Sequence, residues 1–286
     1  MIYLIISIVC SVSVGVLLKL YRRYDINIYQ AINWNYVAAL ILSWYYFNPQ
    51  VDFTVKQPVN LYITLGILLP LLFWILNQSL KTQGLARTDI AQRLSLIIPL
   101  TAAWLLFNEE ISLFKCIGLL IGLVGVILVL RKAQSANNKN HYIYPVLVFI
   151  GYGIVDILFK IVAKNTNIPY PTALFQIFII ACLITLLFLT IQFLRKKQAF
   201  QLHAIIPGLV LGMFNFGNIY SYLKAHQHYS NHPSTVFAAM NLGVILIGSF
   251  LGIMVFREKF KPLNYLGFIL VIIAVIFIAI AQKYAI

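Results

Sequence analysis

Long apolar stretches recur along nearly the whole of this 286-residue sequence, with short polar breaks between them. A helix needs about 20 mainly apolar residues to cross the hydrocarbon core of a bilayer. Runs of this length favour helices over transmembrane strands, which are about half as long and alternate in polarity. The sequence therefore predicts an all-α integral membrane protein with ten transmembrane helices. We place them near residues 2–20, 29–47, 60–80, 88–107, 112–131, 143–163, 171–194, 204–223, 233–256 and 262–282.

The composition excludes a compact soluble enzyme. Apolar residues make up 62% of the chain and charged residues 10%, against roughly 45–50% and about 25% in an average soluble domain. A soluble domain this apolar would expose large patches that aggregate. The net charge of +14 would suggest nucleic acid in a soluble chain, but in a membrane protein basic residues cap helices at the lipid headgroups. We expect a lipid bilayer, and no nucleic acid, as a partner.

Neither a metal centre nor a cofactor is expected. The three cysteines are isolated within apolar runs and show neither metal-ligand spacing nor a disulfide framework. They are Cys10, Cys116 and Cys182. A metal site at the histidines of residues 226–232 would usually need a further ligand on a fixed scaffold. No phosphate-binding loop occurs, so this chain alone is not expected to drive transport with ATP.

An internal repeat appears at an offset of 149 residues, where residues 107–128 align with residues 256–277 without a gap. Matches between Val and Ile are common in membrane sequences and carry little weight. The more telling feature is a charged turn that is followed nine residues later by Gly in both copies. The alignment pairs Phe107 with Phe256, Glu109 with Glu258, and Gly118 with Gly267.

Two halves of five helices follow from this repeat: residues 1–131 and residues 143–286, joined by a linker at 132–142. An odd number of crossings inserts the two halves with opposite orientation, which is the inverted repeat of many alternating-access carriers. At the same offset Gln92 aligns with Asn241, a polar pair inside apolar helices. We predict that the halves superpose after a two-fold rotation about an axis in the membrane plane.

Short motifs mark the turns of both halves. The first half has Pro99-Leu100, then Phe107-Asn-Glu109-Glu110, then Gly118 and Gly-Leu-Val-Gly at 122–125. The second half has Phe256-Arg-Glu258-Lys and Gly267, with Gly248 opposite Pro99. With these motifs each half resembles one EamA domain of the drug/metabolite transporter superfamily, although Asn108 and Arg257 stand where that family often has Gly. The resemblance implies a ten-helix permease for small molecules that works without ATP hydrolysis.

Polar side chains inside the predicted spans are the candidate substrate-binding residues, because a charged group facing lipid is costly. Hydrogen bonding between helices is the alternative for each of them. Arg93 is interpreted either as a counter-ion for an anionic substrate group or as the partner of Asp89, which lies four residues earlier on the same helix face. The predicted cavity-lining residues are Asn33, Asn77, Gln92, Arg93, Ser95, Tyr152, Asn215, Asn218, Tyr222 and Asn241.

A second charged pair, Asp156 and Lys160, lies in the sixth predicted span. Asp156 is the acidic residue farthest from both predicted membrane surfaces. Burial raises the pKa of a carboxyl group, which is what proton coupling requires, whereas a nearby ammonium group opposes the shift. We therefore predict proton or ion coupling at Asp156 and Lys160. One alternative is a salt bridge between the two residues that only neutralises the helix. Another is that Lys160 snorkels to the interface.

Two features of the turns have simpler explanations. Glu109, Glu110 and Glu258 lie at helix ends and are expected to cap the positively polarised N-terminus of the helix that follows. Glycines at 118, 122 and 125 form a small-residue face, which packs either within the bundle or against a second copy of the chain. The sequence therefore leaves a monomer and a homodimer equally open.

A secondary transporter is the predicted function: the chain would move a small polar, zwitterionic or amphipathic metabolite, such as an amino acid or a drug, across the plasma membrane. An integral-membrane enzyme is the main alternative, but no paired aspartates suited to magnesium diphosphate occur. A channel is the other alternative, although no loop resembles a selectivity filter. The basic residues favour termini outside the cell, whereas the family usually has both termini in the cytoplasm, so sidedness stays open.

Overall fold

In the part of the chain that it describes, the computed structural model consists of helices joined by short turns and contains no strand. The described residues are 2–24, 26–49, 58–109, 112–130, 143–164, 168–195, 200–254 and 261–284. The helices are α1 (Ile2–Arg23), α2 (Ile28–Phe47), α3 (Val59–Leu94), α4 (Ile97–Leu105), α5 (Leu113–Leu130), α6 (Ile143–Lys164), α7 (Tyr170–Leu194), α8 (Ile205–His228), α9 (Pro233–Met254) and α10 (Pro262–Tyr284). The all-α fold predicted from the sequence is confirmed.

Five apolar segments within these helices are long enough to cross a bilayer: Val59–Gln83, Ile143–Lys164, Tyr170–Leu194, Leu202–His228 and Pro233–Leu251. Four shorter apolar segments are Ile2–Leu18, Ile90–Leu105, Leu113–Val129 and Pro262–Ile278. Large aliphatic side chains on many of these helices are exposed, as expected for a surface that faces lipid. The chain is a multi-pass integral membrane protein.

Helix α3 bends sharply between Ser79 and Thr88. Residues nine positions apart in a straight helix are separated by about 13.5 Å along the axis, yet the hydroxyl oxygens of Ser79 and Thr88 are 2.7 Å apart and form a buried hydrogen bond. The two arms of α3 therefore fold towards each other at the polar segment 80–87. The sequence predicts a break between two spans at this position, and the structure turns there while remaining helical.

Contacts between helices divide the chain into two compact units, and each contains parts of both sequence halves. Unit 1 comprises Met1–Trp74 and Leu158–Lys224, whereas unit 2 comprises Ile75–Ile157 and Ala225–Ile286. Helices α3 and α6 each begin in one unit and end in the other. The predicted linker lies outside the described residues, and the predicted superposition of the sequence halves stays a prediction.

Unit 1 is built from α1, α2, α7 and α8 together with one arm each of α3 and α6. Within this unit, helix α8 packs against both α1 and α2. It runs antiparallel to α1, because Ser7 bonds Asn218 while Tyr21 near the other end of α1 bonds the carbonyl of Pro207. It runs parallel to α2, because early residues of α2 contact early residues of α8 and Phe47 at the end of α2 contacts the ring of Phe216.

Unit 2 is organised around the antiparallel pair α5 and α10. A small-residue face on α5 lets the two backbones approach closely: a Cβ atom added to Gly125 would lie 2.9 Å from the carbonyl oxygen of Gly267 and 3.0 Å from the backbone nitrogen of Val271. Gly118 and Gly122 face the same helix. The sequence left two partners open for these glycines, and the structure shows that they pack within the bundle against α10.

Candidate functional site

An interruption in the helical backbone separates α3 from α4 in unit 2. Pro99 has no N–H with which to bond the carbonyl of Ser95, and that carbonyl instead accepts from Ile98 at 3.0 Å. The N–H of Leu96 bonds Arg93 rather than Gln92. The Ser95 hydroxyl then donates to the free carbonyl of Gln92 at 2.6 Å. A side chain thus replaces the missing backbone donor at the break.

Three of the predicted cavity residues, Gln92, Arg93 and Ser95, lie together at this interruption. Arg93 is in the last turn of α3, whereas the sequence places it roughly a turn and a half into a fourth helix that starts near residue 88. Discontinuous helices carry the substrate sites of many transporters, because unwound backbone exposes polar groups at membrane depth. Helix α4 packs against α9, which carries Asn241.

Glu109 has a role that the sequence did not predict correctly. Its carboxylate accepts hydrogen bonds from the Ser234 backbone N–H at 2.8 Å and the Ser234 hydroxyl at 2.7 Å, and it pairs with Lys115. It therefore caps α9, not the following helix α5. The hydroxyl of Ser112 accepts from the Lys115 N–H at 3.3 Å and caps α5 instead. Asn108, which precedes Glu109, has a φ of 52°.

The conformation of Asn108 explains a departure from the family pattern. A positive φ favours Gly, and Asn tolerates the left-handed region better than most other residues. Asn in place of the usual Gly therefore preserves the turn that aims Glu109 at α9. The two other turn acids, Glu110 and Glu258, lie outside the described residues.

Unit 1 contains buried polar side chains that find no hydrogen-bond partner among the described residues. Both polar atoms of the Asn35 side chain are in this state, as are the Ser43 hydroxyl and the amide nitrogen of Asn215. Asn35 and Ser43 are completely buried, and Asn215 is 6% exposed. Asn35 and Ser43 are eight residues apart on α2, which places them on one helix face, and the carbonyl of Asn35 contacts Gly212, three residues before Asn215.

Other predicted cavity residues of unit 1 bond neighbouring helices. The side-chain oxygen of Asn33 accepts from Thr185 on α7 at 3.0 Å. That of Asn218 accepts from Ser7 on α1 at 2.7 Å. Such bonds are the alternative role that the sequence leaves open for polar residues in membrane helices. Tyr222 is buried and packs edge-on against the ring of Phe159, with centroids 6.4 Å apart.

A cluster of one lysine and three tyrosines lies at one end of unit 1. The Nζ atom of Lys224 is 3.4 Å from the hydroxyl of Tyr3 and lies 4.9 Å from the centre of the Tyr3 ring. It is also 5.3 Å from the ring centre of Tyr220, whose ring lies 5.8 Å from that of Tyr170. We call these four residues the lysine–tyrosine cluster. Sequence reasoning missed it, although the spacing of Tyr220 and Lys224 places them on one helix face.

The candidate residues are divided between the two units. Unit 1 contains Asn33, Lys160, Asn215, Asn218 and Tyr222, and unit 2 contains Asn77, Gln92, Arg93, Ser95, Tyr152, Asp156 and Asn241. Lys160 is one of the largest fully buried side chains, with 1% of its surface exposed, and Asp156 is partly exposed. Asn77 is buried, and its amide oxygen has no bonding partner within the described ranges. The single shared cavity stays a prediction.

Comparison with known proteins identifies relatives over the whole chain. The profile of the EamA-like transporter family matches residues 1–131 and 140–280. An uncharacterized protein of Haemophilus influenzae is 41% identical over 276 residues, which are 93% of each chain. A protein crystal structure with 10% sequence identity has a TM-score of 0.75 and covers 99% of this chain and 97% of its own. At that identity the likeness concerns the fold alone.

Proposed function

Because the chain belongs to the EamA-like transporter family, we propose that it is a secondary transporter that moves a small polar, zwitterionic or amphipathic metabolite across the plasma membrane by alternating access. The observation that carries this proposal is the family match to two segments, residues 1–131 and 140–280. In the proposed architecture ten helices form two inverted repeats of five.

The directions of neighbouring helices support one crossing per proposed span, in which the second arm of α3 and α4 together form the fourth span. If each span crosses once, odd-numbered and even-numbered spans run in opposite directions. Helices α1 and α8 do so in unit 1, as do α2 and α7, since Asn33 bonds Thr185 and Tyr29 contacts Phe188 farther along α7. Helices α5 and α10 do so in unit 2, while α2 and α8, both even-numbered, run parallel.

Buried polar groups without protein partners support a polar solute as the cargo. A buried group left without a hydrogen bond costs about 1–3 kcal/mol. Asn35, Ser43 and Asn215 carry this cost, and the backbone of Asn35 contacts Gly212 on α8. A carrier recovers the cost when a polar solute or water enters. The interrupted helix at Ser95 adds a second set of polar groups in unit 2.

Asn35→Leu separates the proposed role of Asn35 from a structural one. The substitution removes two unsatisfied polar atoms from a fully buried side chain. We expect an unchanged or higher melting temperature together with at least about a tenfold loss of transport, as stability and activity often oppose each other at functional sites. Asn33→Leu is the matched control on the same helix. It breaks the bond from Thr185 and should lower the melting temperature. A destabilised but fully active Asn35→Leu protein would contradict the proposal.

A flux assay in proteoliposomes tests the function itself. Purified protein is reconstituted, and the uptake of a panel of amino acids, organic acids and cationic drugs is measured with and without an imposed proton gradient. We expect saturable uptake of at least one solute that is absent from protein-free vesicles. A conductance that does not saturate would identify a channel, and chemical alteration of the solute would identify an enzyme.

Coupling to protons is proposed to reside at Asp156, with Lys160 as the residue that modulates it. Asp156→Asn removes the titratable group, so we expect uphill, gradient-driven uptake to be lost while exchange of labelled for unlabelled substrate continues. Asp89→Asn should have a weaker effect, because Asp89 lies nearer the predicted membrane surface. If Asp156→Asn still shows uphill uptake at the normal rate, Asp156 does not couple protons and has only a structural role.

A further inference from the structure

Among the described residues, the cation of the lysine–tyrosine cluster contacts only neutral groups. The ammonium of Lys224 is bonded to the hydroxyl of Tyr3 at 3.4 Å and lies over the rings of Tyr3 and Tyr220. The ring of Tyr220 lies 5.8 Å from that of Tyr170, with an interplanar angle of 32°. Lysine carries three donors, and a phenol both donates and accepts. The cluster therefore retains donors for an anion.

No carboxylate of unit 1 neutralises this cation within the described residues. The two acidic residues of unit 1, Asp25 and Asp52, lie outside the described ranges. Lys224 is in the last turn but one of α8, inside the apolar segment Leu202–His228. A cation in an apolar membrane segment is costly and usually has a charged or polar partner. An anionic ligand would supply a negative charge that the described residues of unit 1 do not supply.

An aromatic surface continues from the cluster along α8. The rings of Phe216 and Tyr220 are nearly parallel, at 7°, with centroids 6.1 Å apart. Phe47 on α2 contacts both rings, at 5.7 and 5.0 Å. Phe216 is buried at 7% exposure, whereas Phe47, Tyr220 and Lys224 are partly exposed. A ligand can therefore reach the rings of Phe47 and Tyr220 and the ammonium group. Aromatic faces of this kind pack against apolar or aromatic ligands.

We infer that the lysine–tyrosine cluster binds the carboxylate of an amphipathic organic acid whose apolar body packs on the partly exposed rings of Phe47 and Tyr220. This inference rests on the proposed transport function and narrows its cargo to monocarboxylates. A charge-assisted bond from Lys224 and hydrogen bonds from the phenols hold the carboxylate. An α-amino acid fits less well, because its ammonium group would meet Lys224 with no described carboxylate of unit 1 to balance it.

The inference can be tested by binding alone, without a flux assay, with pairs of probes that differ only in carrying an acid or an amide. The protein is placed in phosphatidylcholine nanodiscs, and calorimetry measures the binding of phenylacetate against phenylacetamide and of octanoate against octanamide, with protein-free discs as blanks. We expect at least one acid to bind about tenfold or more tightly than its amide, the effect of a hydrogen bond to a charged group. If neither acid is preferred over its amide, the inference is wrong.

Substitutions in the cluster test whether it causes the preference for an acid over its amide. Lys224→Gln should abolish it, Lys224→Arg should retain most of it, and Tyr220→Phe should weaken it while keeping the ring. Lys261→Gln, at an exposed lysine before α10, is the control and should behave as the wild type. A lysine near a helix C-terminus also stabilises the helix dipole. A lower melting temperature in Lys224→Gln with an unchanged acid preference would therefore show a structural role and overturn the inference.

A lipid phosphate is the other source of a negative charge at this position. Repeating the titration in phosphatidylglycerol nanodiscs distinguishes the two. Unchanged acid binding supports a solute site, whereas acid binding that disappears in phosphatidylglycerol, with lipid-dependent stabilisation that requires Lys224, shows a headgroup site and contradicts the inference. If the protein transports other solutes but does not prefer the acids over their amides, this inference is wrong and the transport function stands. If the acids bind but no solute is transported, the transport function is wrong and the binding site stands.

Discussion

Glu109→Ala is expected to lower the free energy of unfolding by about 3–5 kcal/mol, the usual cost of removing one partner from a buried ion pair. Glu109 is 4% exposed and Lys115 is also 4% exposed. Without the carboxylate, the Lys115 ammonium is left buried and unpaired, and the first turn of α9 loses the acceptor for Ser234. Unfolding in mixed micelles with increasing denaturing detergent measures the change.

The double variant Glu109→Ala/Lys115→Met is the control for this prediction. It removes the unpaired cation and should recover part of the lost stability, because replacing a whole buried pair with apolar groups is often close to neutral. The bonds to Ser234 remain broken, so recovery should be incomplete. A single variant as stable as the wild type would contradict the assignment of Glu109 as the group that joins α5 to α9.

Gly267→Ala is expected to disrupt the α5–α10 contact and to destabilise the protein by about 1–3 kcal/mol. A Cβ atom at this position would lie 2.6 Å from the backbone nitrogen of Val129 and 2.7 Å from the carbonyl oxygen of Gly125. Both neighbours are backbone atoms, which cannot move aside as a flexible side chain can. The helices must separate, and the layer of buried side chains around Val271 and Ala274 loses contact.

Gly248→Ala is the matched control, on α9. A Cβ atom there would have no neighbour within 4 Å, so alanine should be neutral or should stabilise the helix by up to about 1 kcal/mol through its better helix propensity. The two variants differ only in the space around the added methyl group. Equal melting temperatures for Gly267→Ala and Gly248→Ala would show that the close approach of α5 and α10 is not required for stability.

Helices could be predicted from the sequence, because the length of an apolar run follows from bilayer thickness and from the need to satisfy the backbone. The polar break after the third span was also visible. The geometry of this break could not be predicted. A helix that bends at a buried hydrogen bond between Ser79 and Thr88 and a loop can have the same local composition. At the interruption, the Ile98 N–H replaces the donor missing at Pro99 and the Ser95 hydroxyl bonds the carbonyl of Gln92. The second of these bonds depends on the rotamer of Ser95, which the sequence does not show.

The long-range partners of single residues could not be predicted. Glu109 bonds Ser234, 125 residues away, and local rules for helix caps point to α5 instead. The lysine–tyrosine cluster combines residues of α1, α7 and α8. Of these residues, only Tyr220 and Lys224 are spaced so that the sequence predicts their proximity. Asn33 and Asn35 are two residues apart in one helix, yet one is bonded to α7 and the other finds no partner among the described residues.

The most direct test of the transporter assignment is counterflow. Proteoliposomes are loaded with a high concentration of an unlabelled substrate identified in the flux panel, then diluted into a trace of the same substrate carrying a label, without any ion gradient. The binding site of an alternating-access carrier reorients faster when substrate is bound. We therefore expect a transient accumulation of label above equilibrium, several-fold faster than uptake into empty vesicles. Equal rates into loaded and empty vesicles, with no overshoot, would contradict it.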